Sequence, residues 1–102
     1  MVMHLVFWQL KDEALGRDKD ENARLIKDGL EGLVGVVPGL RQAHVGRNEN
    51  GGPYDLALAA VFDSAAALHA YETHPAHQQV RALVTQVRLD RAAVDFTAEE
   101  EL

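Results

Sequence analysis

The segment that follows Met1 is short and apolar on both of its faces. Residues 2–10 are Val-Met-His-Leu-Val-Phe-Trp-Gln-Leu and stop at charged residues, which predicts a β-strand. Alternation along the strand places Val2, His4, Val6 and Trp8 on one face and Met3, Leu5, Phe7 and Gln9 on the other. An antiparallel strand with one face in water would alternate apolar with polar side chains. We therefore expect both faces of this strand to be covered.

A short chain without cysteine must find its stability in packing or in association. The chain has 102 residues, which suits one domain with one core, since domains usually hold roughly 100 to 150 residues. Its hydrophobic residues without the two tyrosines, together with its eight glycines, make an apolar share slightly above the roughly 45 to 50% of average domains. This excess favours association with another subunit. The lack of cysteine excludes disulfides, thiolate nucleophiles and sulfur-ligated metals.

The charge balance argues against two kinds of partner. Sixteen Asp and Glu against ten Lys and Arg give a net charge of −6. A negative protein gains little from neutralising phosphates, so nucleic acid and anionic membranes are poor partners. Residues 1–10 lack the basic start of a signal peptide, and the longest apolar run, 56–62, is far shorter than the roughly 20 residues of a membrane span. We expect a cytoplasmic protein with no membrane partner.

A helical stripe follows the first strand. Apolar side chains spaced by three and four residues predict a helix over 18–37, which ends at Pro38-Gly39. Three glycines interrupt the second half of this helix, namely Gly29, Gly32 and Gly35. Each costs on the order of 1 kcal/mol relative to Ala inside a helix. They therefore indicate either an early end of the helix or a close approach to another surface.

The rest of the chain completes an alternation of strands and helices. The elements predicted are a strand over 40–46, a loop over 47–53 with an Asn-Gly-Gly turn, a strand over 54–62, a helix from Ser64 to about Glu72, a helix starting at Pro75, and a strand over 89–96. This order predicts a ferredoxin-like α+β layer, β-α-β-β-α-β. Its helices would cover one face of the sheet. An apolar second face then predicts a homodimer in which two sheets enclose a barrel-like core, a dimeric α+β barrel.

The densest cluster of chemically capable residues is Tyr71-Glu-Thr-His-Pro-Ala-His77. In an unbroken helix Tyr71 and His77 would point roughly 240° apart. Pro75 disfavours the helical conformation at His74 and offers no backbone N–H, so the chain must turn there. The turn would allow Tyr71 and His77 to face one space.

Several segments together resemble the stress-responsive A/B barrel (Dabb) family. They are Met3-His-Leu-Val-Phe7, Lys11-Asp-Glu13, Val37-Pro-Gly39, Gly46-Arg-Asn48, Tyr54-Asp55, Tyr71-x-x-His-Pro-Ala-His77 and Val94-Asp-Phe96. The resemblance implies one Dabb domain over 1–97, followed by an acidic tail over 98–102. It also implies a dimeric α+β barrel.

One branch of that family, the plant polyketide cyclases of the olivetolic acid cyclase type, is similar in the same Tyr-x-x-His-Pro-Ala-His stretch. This resemblance implies a catalytic pair in which His77 removes a proton next to a carbonyl and Tyr71 supports the base or the substrate by hydrogen bonding. His4 would line the same cavity. The implied reaction, an intramolecular aldol cyclisation, needs no cofactor and no metal. An imidazole that titrates at about 6.5 and a phenol that titrates at about 10 suit these roles.

Three functions remain open from the sequence. In the first, the homodimer binds a small, largely apolar molecule in a pocket between sheet and helices, with His4, Val6 and Trp8 as binding residues and its precise activity unassigned. In the second, it is a cofactor-independent, polyketide-cyclase-like lyase that uses His77 and Tyr71. In the third, it is a structural, stress-associated dimer with a filled core and no site.

Other polar residues have structural interpretations. His74 suits a role in which it fixes the helix break by bonding to exposed backbone ends. A single histidine among apolar neighbours, such as His4, is also typical of a hydrogen-bonded core residue. Asp90 and Asp95 are assigned as solvated charges at a strand end. No third ligand accompanies His74 and His77, so the sequence predicts no metal site.

Overall fold

A computed structural model describes residues 1–99. In chain order its elements are β1 (Val2–Leu10), β2 (Glu13–Ala14), β3 (Arg17–Asp18), α1 (Lys19–Glu31), β4 (Leu40–Arg47), β5 (Leu56–Phe62), α2 (Ala65–Thr73), α3 (Pro75–Val87) and β6 (Arg88–Thr97). Of the acidic tail predicted over 98–102, residues 100–102 lie outside the described residues. None of the helices in this range is long and apolar enough to traverse a bilayer.

Four strands form one antiparallel sheet in the order β4–β5–β1–β6. This is the ferredoxin-like α+β layer that the sequence predicts. β1 lies next to both β5 and β6, and its Val6 stands opposite Leu58 on one side and Ala93 on the other. Directly opposite residues of an antiparallel pair share a face of the sheet. The register therefore continues the helix-facing side of β1 onto both neighbouring strands.

The two faces of β1 are covered to different degrees. The side chains on the helix-facing side are all buried, namely Val2, His4, Val6 and Trp8. On the other face Met3 is buried, whereas Leu5 and Phe7 are only half-buried. Val94 and Phe96 of β6 share this second face and are 54% and 43% exposed. We call Leu5, Phe7, Val94 and Phe96 the open sheet face, because a single chain leaves it without a cover.

The first helix is shorter than the sequence predicts. α1 ends at Glu31, well before residue 37, and the segment after it continues as turns with Gly35 at φ 87°. The glycines have both of the roles proposed for them. Gly32 ends the helix, and Gly29 allows a close approach, because a Cβ there would lie 3.2 Å from both methyl groups of Val80 on α3.

A two-stranded hairpin, β2 with β3, was not predicted. Its turn consists of Leu15 and Gly16, which have φ angles of 55° and 73°. Two successive residues with positive φ are typical of a type I′ hairpin turn. Leucine is rarely found in this conformation. The pattern Ala14-Leu15-Gly16 therefore gave no turn signal.

Candidate functional site

A single extended residue, His74, joins α2 to α3 and changes the direction of the chain. Its backbone has φ −67° and ψ 133°, so neither helix can continue through it. Its N–H donates to the Tyr71 carbonyl at 3.1 Å, and its carbonyl accepts from the Gln78 N–H at 3.0 Å. Its Nδ1 accepts a hydrogen bond from the Ala76 N–H at 3.1 Å. His74 therefore closes one helix and opens the next, with Pro75 as the first residue of α3.

The change of direction brings Tyr71 and His77 into contact. Their ring centroids are 4.0 Å apart, and the ring planes are inclined by 32°. Tyr71 also makes edge contacts with Phe62 at 4.9 Å and with His4 at 6.2 Å. Its side chain is nearly fully buried, with 2% of the residue exposed. Tyr71 thus stands at the centre of a cluster of four rings that contains both candidate histidines.

His4 forms a hydrogen bond with an aspartate on the neighbouring strand. His4 and Asp95 are directly opposite in the register of β1 and β6, and His4 Nδ1 lies 2.5 Å from Asp95 Oδ1. An ionised carboxylate only accepts hydrogen bonds, so Nδ1 carries the proton in this pair. In the neutral form of the ring, the other nitrogen, Nε2, is an acceptor. Asp95 thereby sets both the orientation and the tautomer of a buried imidazole.

A cavity of about 450 Å³ lies between the sheet and the helices beside this cluster. Its lining includes His4, Val6, Trp8 and Ala93 from the sheet and Tyr71 and His77 from the helices. The volume is within the range of about 300 to 1,000 Å³ that is usual for small-molecule sites. All five residues that the sequence singled out for a site therefore border one cavity.

Burial controls the protonation of the two rings that touch. It raises the pKa of the Tyr71 hydroxyl, which stays protonated at neutral pH and can donate a hydrogen bond. Burial is also the main cause that lowers the pKa of the His77 imidazole, and the Arg81 charge and the His4 ring act in the same direction. The backbone and carboxylate of Glu72 oppose this shift without cancelling it. His77 is therefore neutral at pH 7, which is the form that can accept a proton.

Two buried polar atoms at the cavity have no protein partner. Within the part of the chain that the structure describes, neither Nε1 of Trp8 nor Nδ1 of His77 makes a hydrogen bond. Both residues line the cavity. A buried polar group without a partner costs about 1 to 3 kcal/mol. Both atoms are covered by neighbouring protein atoms in this conformation, so a bound molecule could satisfy either of them only after the ring had moved.

Several polar residues of the cavity were not predicted from the sequence. Asp95, assigned as a solvated strand-end charge, faces His4 and lines the cavity. Asp90 has a different setting, because its carboxylate accepts a hydrogen bond from the Tyr54 hydroxyl at 3.4 Å. The missed arginines that also line the cavity are Arg81, Arg88 and Arg91. The spacing of 91, 93 and 95 on one face of a strand was the available signal. It required the pairing with β1 before it could be used.

No group of three His, Asp or Glu side chains that could hold a metal ion is found within residues 1–99. The acidic and imidazole groups of the cavity are instead paired or packed singly. Asp95 is hydrogen-bonded to His4, and His77 is stacked on Tyr71.

Comparisons with known proteins point in one direction. A family model described as the Stress responsive A/B Barrel Domain matches residues 2–98. The search of curated proteins finds no significant match.

Solved structures with the same fold cover almost the whole chain. A dimeric protein of unknown function with a ferredoxin-like fold from Bacteroides fragilis is 29% identical, covers 93% of each chain and has a TM-score of 0.83. A dimeric ferredoxin-like protein of unknown function from Thermobifida fusca is 24% identical, with 95% of this chain and 90% of that chain covered and a TM-score of 0.80. The hydroxynitrile lyase of Passiflora edulis is 14% identical, with 99% and 95% covered and a TM-score of 0.80. The ferredoxin-like fold predicted from the sequence is confirmed.

Proposed function

The chain belongs to the stress responsive A/B barrel domain family, and from this membership we propose that it is a homodimer that binds a small, largely apolar molecule in the cavity between its sheet and its helices. The observation that carries the proposal is the cavity of about 450 Å³ beside Tyr71 and His77. A structural dimer with a filled core would leave no such space. Ligand sites typically combine apolar walls with a few convergent polar groups.

The walls of the cavity suit an apolar molecule. Val6 and Ala93 form adjacent parts of the sheet side, and Leu30, Leu58 and Val84 add further aliphatic surface. Each Å² of apolar ligand surface removed from water contributes roughly 25 cal/mol. One set of polar groups lies at the ring cluster, where His77 Nδ1 is unpartnered. A carbonyl or hydroxyl group of the ligand at this end would meet the Tyr71 hydroxyl, which can donate a hydrogen bond.

The open sheet face supports a homodimer. Val94 and Phe96 are exposed beside the half-buried Leu5 and Phe7, which forms a contiguous apolar surface. Monomeric proteins rarely expose such surfaces. A two-fold axis through this face would pack two sheets against each other. The structural relatives from Bacteroides fragilis and Thermobifida fusca are both described as dimeric.

Binding can be measured directly by calorimetric titration with an uncharged methyl ketone, 2-nonanone. We expect saturable binding to the wild-type protein and its loss in Ala93→Phe, which fills the cavity. Ala66→Phe, an exposed position on α2 outside the cavity, is the matched control and should bind as the wild type does. Absence of binding in the wild type, or equal binding by both variants, would contradict a ligand site here.

A second function, a cofactor-independent lyase that cyclises a chain with several ketone groups, is favoured by the contact between Tyr71 and His77. Neutral His77 would remove a proton from the carbon between two carbonyls, which gives an enolate. The enolate carbon then forms a bond to a second carbonyl of the same molecule, and the resulting alkoxide takes the proton back from the imidazolium. The Tyr71 hydroxyl would donate a hydrogen bond to the oxygen that gains negative charge.

A further inference from the structure

The cavity has a cationic side that the proposed function does not use. Arg81, Arg88 and Arg91 all line it. Among the described residues none of the three forms an ion pair, although other arginines do, such as Arg47 with Asp20 at 2.6 Å. Arginine keeps its charge at every physiological pH. Three unpaired cations therefore surround one cavity of a protein whose net charge is −6.

The register of the sheet shows where two of these arginines lie. Arg91 stands opposite Trp8, and Arg88 stands opposite Leu10. The Lys11 N–H donates to the carbonyl of Val87, which places the end of α3 at the same edge. Arg88 and Arg91 therefore lie at the end of the cavity where β1 finishes.

The ring cluster lies at the opposite end. His4 precedes Trp8 by four residues on β1, which corresponds to roughly 13 Å along an extended strand. Tyr71, near the end of α2, lies beside His4, and His77, in the first turn of α3, lies against Tyr71. The wall between the two ends includes Val6 and Ala93. The cavity thus has a ring end, an aliphatic middle and an arginine end.

The cationic groups and the indole at the arginine end are hydrogen-bond donors, and the hydroxyl of Thr85, which also lines the cavity, can donate as well. Guanidinium groups only donate, and so does the indole N–H. Nε1 of Trp8 is buried and unpartnered, and Trp8 is the residue directly opposite Arg91. Two carboxylates also border the cavity, but Asp95 is bonded to His4 and Glu72 lies on α2, next to Tyr71 in the chain. A group that accepts several hydrogen bonds and carries negative charge is what this end lacks.

We propose that the molecule bound in this cavity is a carboxylate anion with an apolar chain, whose carboxylate is held by Arg88 and Arg91 and whose far end bears a carbonyl that reaches Tyr71 and His77. Arginine binds carboxylates through two parallel hydrogen bonds, which fixes the orientation of the chain as well as its charge. The inference rests on the proposed function and adds the class of ligand, a keto acid.

Three related probes test this assignment by calorimetric titration at pH 7.5. The probes are 8-oxononanoate, its methyl ester, and 2-nonanone, which has a methyl group in place of the carboxylate. We expect the acid to bind at least about tenfold more tightly than either neutral compound, as hydrogen bonds to a charged group imply. Arg88→Gln and Arg91→Gln should each lower the affinity for the acid by about tenfold. Neither variant should change the affinity for 2-nonanone.

Control variants distinguish the loss of an arginine contact to the ligand from the loss of the folded structure. Arg24→Gln removes an exposed arginine of α1 that does not border the cavity, and it should bind all three probes as the wild type does. Arg91→Lys keeps the charge without the two-pronged geometry, and its affinity for the acid should fall between those of wild type and Arg91→Gln. Circular dichroism melts verify that each variant is folded.

The outcomes distinguish this inference from the proposed function. Equal affinity of the wild type for the acid and for 2-nonanone would overturn the carboxylate assignment and leave an apolar binding site standing. The same conclusion would follow if Arg88→Gln and Arg91→Gln lowered the affinity for the acid and the affinity for 2-nonanone equally. If none of the three probes binds the wild type, the inference and the proposed function fail together.

Discussion

The imidazole of His77 lies against the phenol ring of Tyr71, with the ring centroids 4.0 Å apart, although six positions separate the two residues in the chain. The contact exists because His74 is extended and the axis of α3 departs from that of α2. Burial keeps the phenol protonated and the imidazole neutral. A hydrogen-bond donor and a proton acceptor therefore meet at the edge of one cavity, which is the arrangement that acid–base chemistry requires.

His77→Ala should abolish most of any cyclase activity. A positioned general base typically contributes about 10² to 10⁴ in rate, so we expect a loss of that order with a poly-β-keto substrate. Tyr71→Phe keeps the ring and removes the hydroxyl, and it should lose less cyclase activity than His77→Ala does. Product analysis by chromatography measures both, with His69→Ala, an exposed change on α2, as the control. Equal turnover by wild type and His77→Ala would exclude this residue as the base.

The titration of His77 should be displaced towards acid. Because burial lowers its pKa in the folded state, the imidazole should remain neutral as the pH falls through about 6.5, the value of an unperturbed histidine. Cyclase activity should then persist to a lower pH than a solvated imidazole would allow. The ring proton of His77, followed by NMR against pH, reports the midpoint directly. A midpoint at or above 6.5 would contradict the effect of burial.

The same shift predicts a loss of stability in acid. The unfolded chain binds a proton at His77 more readily than the folded chain does, so the free energy of unfolding should fall as the pH drops below about 6.5. In His77→Gln this part of the pH dependence should be absent. Urea denaturation of both proteins at several pH values gives the free energy of unfolding as a function of pH. If this free energy depends on pH identically in the two proteins, the predicted contribution of His77 is contradicted.

Phe96→Asp should separate the two subunits. The substitution puts a charge into the open sheet face, where burial without a partner is costly. Light scattering at micromolar concentration should give a dimer mass for the wild type and a monomer mass for the variant. Leu25→Asp, at a residue that is 40% exposed on α1, should remain dimeric. A monomeric wild type would refute the dimer.

His74→Ala should destabilise the fold and disturb the ring pair. It removes the Nδ1 acceptor of the Ala76 N–H, and the loss of such a cap typically costs about 0.5 to 2 kcal/mol. His74→Asn should recover most of the free energy of unfolding, because asparagine is a good N-cap. Urea denaturation measures both variants. A stability of His74→Ala equal to that of wild type would show that the cap is dispensable.

Gly35 and Gly39 allow the cost of a strained backbone to be measured separately from the cost of a steric clash. Gly39 and Gly35 both have positive φ, at 82° and 87°. A Cβ at Gly39 would lie 2.5 Å from the Cβ of Ala67, whereas a Cβ at Gly35 would meet nothing within 4 Å. Gly35→Ala should therefore cost only the backbone strain, about 1 to 2 kcal/mol. Gly39→Ala should cost about 1 to 3 kcal/mol more. Equal losses in thermal melts would rule out the close contact.

Much of the fold could be predicted from local patterns. The strand character of residues 2–10, the stripe of α1 and the break at Pro75 are each encoded within a few neighbouring residues. They were sufficient to order the elements and to predict that the break would allow Tyr71 and His77 to face one space. The end of α1 was predicted six residues too late, because Leu33 and Val37 remain buried beyond Glu31 and continue the apolar spacing.

The features that were missed depend on contacts between distant parts of the chain. Asp95 is a cavity residue only because β6 pairs with β1 in a register that sets it opposite His4. Arg88 and Arg91 gain their position from the same pairing. No local pattern specifies this register, since strand pairing is fixed by the fold as a whole. The turn at Leu15 was missed for a different reason, because leucine rarely has a positive φ and its presence there gives no turn signal.

The elements that form the cavity are joined by very short connections. α2 passes into α3 through the single residue His74, and α3 passes into β6 with no residue between Val87 and Arg88. An insertion or deletion at either junction would rotate one wall against another. The length of the cavity is therefore a fixed property of the scaffold. Any change of ligand preference, by natural divergence or by protein engineering, must come from exchanging side chains along these walls and cannot come from grafting new loops.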